Sequence, residues 1–450
     1  MATSYLQKQI SSAGSTTTAT ISVWVKRNKI SSGEHSLVGG IYTANDRSSI
    51  YFDSSDKITV QHYEISTGVS NLVTNRVFRD VNAWYHIVVN YDTSNATADN
   101  RLRLYVNGVE ETSFATRNNP SLNLPIAYFK SSTYFDVNGR WGSGGANAVG
   151  SIGEQLMSHL HVIDGTVYDA SAFGETDATT GIWKPKTEPS VTYGTNGFFL
   201  KFENSGSMGT DSSPNGNNFT VSGSVTQTVD TPSNVFATWN PLDNYYFQGV
   251  FANGNTTATT GPSQYTWCTS TLGVSSGKWY WEVEYDAKSG GSDVAYVGIT
   301  PSTSTSTTAQ PSFSNNQYYY YSSGSGEGVT MGDSYTTGDI IGIALDLDNN
   351  KIYFSKNGTF QNSGDPTSGA TGTGAISITD PASTTSGNYF ATVADGSSTY
   401  NATFKANFGS GYFGTTPVAS AGSNGNGAIF EYDVPTGYYA LNTKNINTYG

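Results

Sequence analysis

The chain has 450 residues, a formal net charge of −13 and a sequence pI of about 4.7. Its acidity excludes the basic footprint of a nucleic-acid-binding protein, its single cysteine, Cys268, excludes an intrachain disulfide, and no stretch of ~18 apolar residues is present to cross a membrane as a helix. With 50 Gly, 30 Tyr, 21 Phe and 8 Trp but only 13% charged residues, the composition is that of many short strands joined by turns, in a length that suits about two or three domains.

The opening MATSYLQKQISSAGS has no apolar core of a signal peptide, so synthesis in a cytoplasm is expected. An exterior location would then be reached without secretion, for instance by assembly into a particle and lysis. The strand candidates in chain order are 21–25, 48–52, 58–64, 84–91 and 102–106, the last ending at Asn107-Gly108, a strong hairpin signal. Residues 84–91 are apolar on both faces, which predicts a central strand covered on both sides. Residues 155–163 are a further strand candidate. Between 164 and 196 the pattern weakens, with Pro185 and Pro189 in an ordered loop and a short helix near 170–173. A strand at 197–204 and turn chemistry at TDSSPNGNNFT follow, then a loop-rich junction over 230–247.

A second strand-rich block holds 277–286, 295–299, 338–348, 351–356, 389–395 and 401–409. Two low-complexity stretches, 300–311 and 362–375, are expected as long surface loops rather than disorder. No fixed repeat period is visible, which disfavours a solenoid or propeller. The predicted fold is all-β: two tandem antiparallel β-sandwiches, over residues 1–244 and 245–450.

The segment LDLDNNKIYFSKNGTF, 345–360, reads as a hairpin or as a metal loop. A two-residue turn at Asn349-Asn350 would pair Asp348 with Lys351, Leu347 with Ile352 and Leu345 with Phe354, apolar pairs on one face. A helix-loop-helix calcium loop starting at Asp346 would need Gly and Glu where Lys351 and Asn357 stand. The hairpin is the expectation.

The second block resembles a SPRY domain, through GKWYWEVE at 277–284, Val297-Gly298-Ile299, GDIIG at 338–342, the hairpin ending Asn357-Gly358, Asn407-Phe408-Gly409 and Pro435-Thr436-Gly437-Tyr438. This resemblance implies a bent sandwich that binds partners through loops and is not an enzyme. The first block resembles concanavalin A-like, laminin-G-type jelly rolls, through Trp24-Val25-Lys26-Arg27, WYHIVV at 84–89, Leu104 to Gly108 and TDSSPNGN at 210–217. That resemblance implies sugar or protein binding, in some members with calcium. The combination, with SYLQKQISSAGS, DGTVYDASAFGETD and TPSNVFATWNPL, is similar to virion proteins of tailed marine bacteriophages. It implies a virion structural protein on the particle exterior, a short tail fibre or head fibre, with host-surface glycan or protein and other virion proteins as partners. A homo-oligomer, a trimer by default, is expected. Nucleic acid and membrane insertion are not. The rivals are a capsid decoration protein and a glycan depolymerase.

Candidate binding residues are Tyr318, Tyr319, Tyr320 and Tyr321, expected in a Ser/Gly-rich loop, and the cluster Tyr134, Phe135, Arg140 and Trp141. Each set would serve as a glycan platform or as a subunit interface, because Tyr, Trp and Arg suit both. No catalytic residue is expected. Retaining glycosidases need two carboxylates ~5 Å apart, and the nearest string, Glu282-Val283-Glu284-Tyr285-Asp286, lies inside the SPRY-like strand with Glu282 and Glu284 expected toward solvent. His159 and His161 alternate on one strand and would share a face, but no third zinc ligand of suitable spacing is evident. Calcium is the one cofactor left open, with Asp53, Asp56, Asp92, Asp99 and Asp136 in or beside loops; ordinary loop chemistry is the competing reading. Cys268 is expected as a small buried hydrophobe. Sequons such as Asn95-Ala96-Thr97 carry no meaning without secretion.

Overall fold

The computed structural model describes residues 4–31, 33–66, 68–142, 149–245, 249–261, 266–290, 295–301, 303, 316–326, 329–397 and 399–450. The chain divides into two compact units, Met1–Gln227 and Thr228–Gly450. Both are built from sheets that are antiparallel apart from the parallel pairing of Trp279-Tyr280 with Tyr439-Ala440, as the alternating segments predict.

The first unit stacks an eight-stranded sheet on a six-stranded one. The larger runs in spatial order Phe114–Asn118, Gly68–Thr74, Ile58–Glu64, Asp46–Phe52, His35–Thr43, Tyr134–Val137, Tyr5–Gln9, Thr220–Ser222. The smaller runs Phe198–Leu200, Gln155–Asp164, Thr18–Arg27, Trp84–Asp92, Leu102–Val106, Val109–Glu110. Alternate residues of each strand enter the core between them, among them Ile21, Val23, Ile50, Phe52, Val60, Leu72, Val89 and Phe135. Each large apolar side chain enclosed there contributes roughly 1.5–3 kcal/mol.

Strand Trp84–Asp92 is covered on both faces, as the apolar residues on both of its faces predict. Ile87, Val89 and Tyr91 face the core, and Val88 packs with Tyr105, Ile163, Ala170 and Phe173 under the 164–196 segment. That segment carries the expected short helix, a single 3-10 turn at Ala170–Ala172 capped by Asp169, whose carboxylate accepts the Ser171 N–H at 2.9 Å. The TDSSPNGNN stretch is held by Asp211, which accepts the N–H groups of Phe199 (2.8 Å), Ser213 (2.8 Å) and Asn217 (2.6 Å).

The second unit holds a seven-stranded and a nine-stranded sheet around a core that includes Trp279, Trp281, Val283, Ile343, Phe354, Val393 and Phe404. The junction read as loop-rich contains strand Trp239–Tyr245, which pairs with Thr266–Val274 and so belongs to this unit. The division between units therefore falls ahead of the 244/245 boundary drawn from sequence. Residues 362–375 are ordered by 3-10 turns, with Asp365 accepting the Thr367 N–H at 2.9 Å. Most of the 300–311 stretch lies outside the described residues.

Residues 345–360 form the expected hairpin in a different register. The turn spans 347–350, and the pairs are Asp346 with Lys351, Leu345 with Ile352 and Ile343 with Phe354. The shift is two residues, so the same side chains still enter the core. The cause is Asp346. Its buried carboxylate accepts the Asn349 N–H at 3.1 Å and the Asn349 amide at 2.8 Å, and pairs with Lys278 at 2.9 Å, while Asn350 takes a φ of 54°.

Candidate functional site

The tyrosine quartet is not a loop. Tyr318–Tyr321 is a strand paired with Ala295–Thr300. Tyr318 and Tyr320 enter the main core of the second unit, and Tyr319 is fully buried on the other face beside Trp267 and Ala394. Tyr321 is half-buried, its ring 4.7 Å from that of Tyr296. Four aromatics in sequence fill both faces of a strand because successive side chains alternate. Three of them are therefore shut off from any ligand.

The second cluster is split by the same alternation. Phe135 is fully buried in the first unit's core, whereas Tyr134 is half-buried on the opposite, outward face. Arg140 and Trp141 stand on a short strand paired with Val149–Gly150, and this hairpin lies against that outward face.

The outward face of the eight-stranded sheet carries two cross-strand rows. One sets Tyr134, Ile41, Arg47, Tyr63 and Val69 side by side on consecutive strands. The other sets Asp136, Gly39, Ser49, Gln61 and Asn71 beside one another. Gly39 leaves a gap in the second row, and the hairpin fills it: a Cβ there would stand 2.8 Å from the Arg140 Cα and 2.9 Å from the Gly139 carbonyl oxygen. From this seat the hairpin extends its side chains along strand Asp46–Phe52. The Arg140 guanidinium lies 4.3 Å over the Tyr51 ring and is ion-paired with Glu34. The Arg47 guanidinium lies 4.2 Å from the Tyr63 ring and 4.6 Å from the Trp141 ring. Burial lowers the Arg47 pKa, Tyr63 raises it and Arg140 lowers it again.

Beyond this wall the half-buried amides of Gln61 and Asn71 face outward, Asn71 accepting from the Asn118 amide at 2.8 Å. Aromatic rings beside a row of amides and hydroxyls can pack on an apolar ligand face and hydrogen-bond its polar edge. Sequence reasoning found Tyr134, Arg140 and Trp141 but missed Arg47, Tyr63, Gln61 and Asn71. The signal was present: in DRSSIYF and ITVQHYE, polar residues alternate with Ile50, Phe52, Ile58 and Val60.

The acids considered for calcium are not brought together. Asp53 accepts the N–H groups of Ser55 (2.8 Å) and Lys57 (2.9 Å) in its own turn. Asp56 is buried against Arg27 and Arg79. Asp92 accepts from Ser94 Oγ and the Asn95 amide, and Asp99 pairs with Arg117 at 3.2 Å. Asp136 is buried beside Gln7, whose amide donates at 2.8 Å; burial pushes its carboxyl up to about 7 against that hydrogen bond. Among the described residues, no group of three or more His, Cys, Asp or Glu could hold a metal ion.

His159 and His161 both lie beside the Phe199 ring, at 6.0 and 3.8 Å between centroids, as a shared face predicts, although the strand between them is irregular. The strand bulges between Ser158 and His161, with His159 at a φ of 46°. His161 stacks on Phe199 at 3.8 Å and bonds Tyr193 Oη at 2.9 Å, whereas His159 bonds Ser158 Oγ at 2.6 Å. Cys268 is buried, and burial pushes its thiol pKa up.

Glu282 departs most from expectation. It is fully buried, not solvent-facing, and accepts the N–H groups of Glu431 and Tyr432 at 2.9 Å each and the Tyr280 hydroxyl at 3.1 Å. Burial pushes its carboxyl up to about 7 against these bonds. Glu284 pairs with Lys405 at 3.7 Å. These acids clamp strands and the 429–433 segment together.

Residues 2–139 match the family described as the concanavalin A-like lectin/glucanases superfamily, and residues 278–378 match the SPRY domain. Comparison with curated proteins returns no match. Among solved structures, the chain is similar to the SPRY domain of human HERC1, at 18% identity over 37% of this chain and 96% of that one, with a TM-score of 0.29. It is similar to a heptameric SAP-like pentraxin from Limulus polyphemus at 10% identity, covering 37% and 71%, with a TM-score of 0.27. It is also similar to domain 4 of AbnA, a GH43 extracellular arabinanase from Geobacillus stearothermophilus solved with arabinotriose, at 16% identity, covering 34% and 64%, with a TM-score of 0.25. The chain carries a laminin-G-type, concanavalin A-like domain followed by a SPRY domain.

Proposed function

We propose that the chain is a non-enzymatic binding protein that holds a saccharide on the outward face of the eight-stranded sheet in its first unit. The observation that carries this reading is the cross-strand alignment of Arg47, Tyr63 and the amides Gln61 and Asn71 beside a hairpin wall bearing Trp141. A sheet holds these groups in fixed register, so a ligand meets an ordered surface rather than a loop that must first be fixed. The alternate acids at 282–286 support the non-enzymatic reading, because Glu282 is enclosed by protein donors instead of lining a cleft.

The resemblance of SYLQKQISSAGS, DGTVYDASAFGETD and TPSNVFATWNPL to tailed-phage virion proteins supports a place on the exterior of a virus particle, as a short tail fibre or head fibre, for which a homo-oligomer is the expected assembly and a trimer the default. Host-surface glycan would be the ligand of the first unit, and other virion proteins the partners of the chain. The test is a glycan array probed with the full chain and with its Tyr63→Ala and Trp141→Ala variants. Binding that both variants lose while keeping the wild-type melting temperature supports the proposal; binding unaffected by either moves the site elsewhere. Cryo-electron microscopy of a particle carrying the chain tests its placement, and density flat across capsomer junctions would oppose an appendage.

A further inference from the structure

We infer that the saccharide is acidic and of low charge density, and that Arg47 is the residue that reads its carboxylate. The inference rests on the saccharide reading above and adds the class of ligand.

All eight arginines of the chain lie in the first unit. Six of them, Arg27, Arg76, Arg79, Arg103, Arg117 and Arg140, pair with carboxylates. Arg101 spends its guanidinium on the carbonyl oxygens of Asn95, Pro120 and Ala96. Arg47 differs. It donates from Nη1 to the Ala44 carbonyl, lies against the Tyr63 and Trp141 rings, and among the described residues has no carboxylate within ion-pair reach. Two rings fix the plane of a guanidinium without neutralising it, and leave its other nitrogens to an incoming acceptor. A planar fork held in this way matches a carboxylate in two parallel hydrogen bonds.

The rest of the platform sets the charge density. Arg140, the second guanidinium on this face, is already paired with Glu34. Gln61 and Asn71 are neutral and lie on the next two strands, at about 4.8 Å per strand, placed for hydroxyl groups. The chain as a whole carries −13, which repels a dense polyanion. One unneutralised guanidinium beside neutral amides fits a chain of mostly neutral sugars punctuated by uronates, and does not fit a heavily sulfated polymer.

The experiment uses the full chain on an array in which each uronate-containing oligosaccharide stands beside its carboxyl-reduced counterpart, with heparin oligosaccharides as the densely sulfated arm. The expected result is binding to one or more uronate members, with a loss of about 10- to 100-fold on carboxyl reduction, the range of a charge-assisted hydrogen bond. Arg47→Gln should lose a similar factor toward the acidic member and little toward the reduced one. Arg47→Lys, which keeps the charge but not the fork, should recover part of it. Equal binding of both members of a pair overturns the inference and leaves the saccharide reading standing. Tightest binding to heparin overturns the low charge density. Absence of binding to every oligosaccharide overturns both readings. The paired comparison on the unaltered chain holds even if an Arg47 variant fails to fold.

Discussion

Arg27 and Asp56 meet at 3.0 Å with both side chains shut off from solvent. Asp56 also takes the N–H and hydroxyl of Ser31 at 2.7 Å each and Arg79 Nε at 2.8 Å, while Arg27 donates to the Phe78 carbonyl at 2.6 Å. One carboxylate thus ties the end of strand Thr18–Arg27 to two loops.

Removing that carboxylate by Asp56→Ala leaves Arg27 buried without its counter-charge. A loss of about 3–5 kcal/mol of folding stability is expected in urea denaturation. Burial raises the Asp56 pKa, but the Ser31 and Arg79 hydrogen bonds and the Arg27 charge outweigh it and hold the carboxyl at about 2. A folded-state pKa below the unfolded one contributes stability that is complete above about pH 4 and fades as pH falls toward 2. The variant should show a shallower acid limb than the wild type, and parallel limbs would refute the assignment.

Glu282 predicts the opposite slope. Its folded-state pKa is pushed up to about 7 by burial, from 4.5. The folded chain then holds a proton that the unfolded chain releases, so this contribution is complete below about pH 4.5 and is lost as pH rises through 7. Its size is on the order of 3 kcal/mol. Glu282→Gln should narrow the stability difference between pH 5 and pH 7.5 by about that much. Equal differences in wild type and variant would show that Glu282 does not titrate in this window.

Asp346 separates a structural acid from a metal ligand. Asp346→Asn breaks the 2.9 Å pair with Lys278 and should lower stability by about 1–3 kcal/mol. The loss should be the same in EDTA and in millimolar calcium. A calcium-dependent melting shift that disappears in the variant would reverse this reading.

The tyrosine quartet should report on stability, not on ligand. Tyr320→Ala removes a fully buried ring whose hydroxyl donates to the Asp333 carbonyl, at a cost of about 3–5 kcal/mol. Trp141→Ala, at a half-buried position, should cost about 1 kcal/mol or less. Thermal melts of the two variants side by side test the contrast, and a stable Tyr320→Ala chain would sink it.

The sheets were legible in sequence because strand alternation is local: Ile50 and Phe52 mark the core face, and Asn107-Gly108 marks a turn. Register and burial were less so. The hairpin slipped by two residues because a side chain, Asp346, closes the turn. Glu282 looked solvent-facing because alternation says which residues share a face but not what covers that face; here Glu431 and Tyr432, distant in sequence, supply the cover. Tyr318–Tyr321 looked like a loop because its neighbours are Ser and Gly. The platform was missed because its members come from separate strands, and pairing sets their proximity.

The seat of the hairpin wall on Gly39 has an evolutionary consequence. Nearly every route to a new ligand requires exchanging contact residues one at a time, each at the risk of losing the old specificity. Here the missing Cβ on a strand beneath the site sets how closely the wall approaches. A single methyl group added there would meet the Arg140 backbone and shift Arg140 and Trp141 together, without exchanging either side chain. Substitution at Gly39 alone would therefore move the wall while keeping every side chain on it.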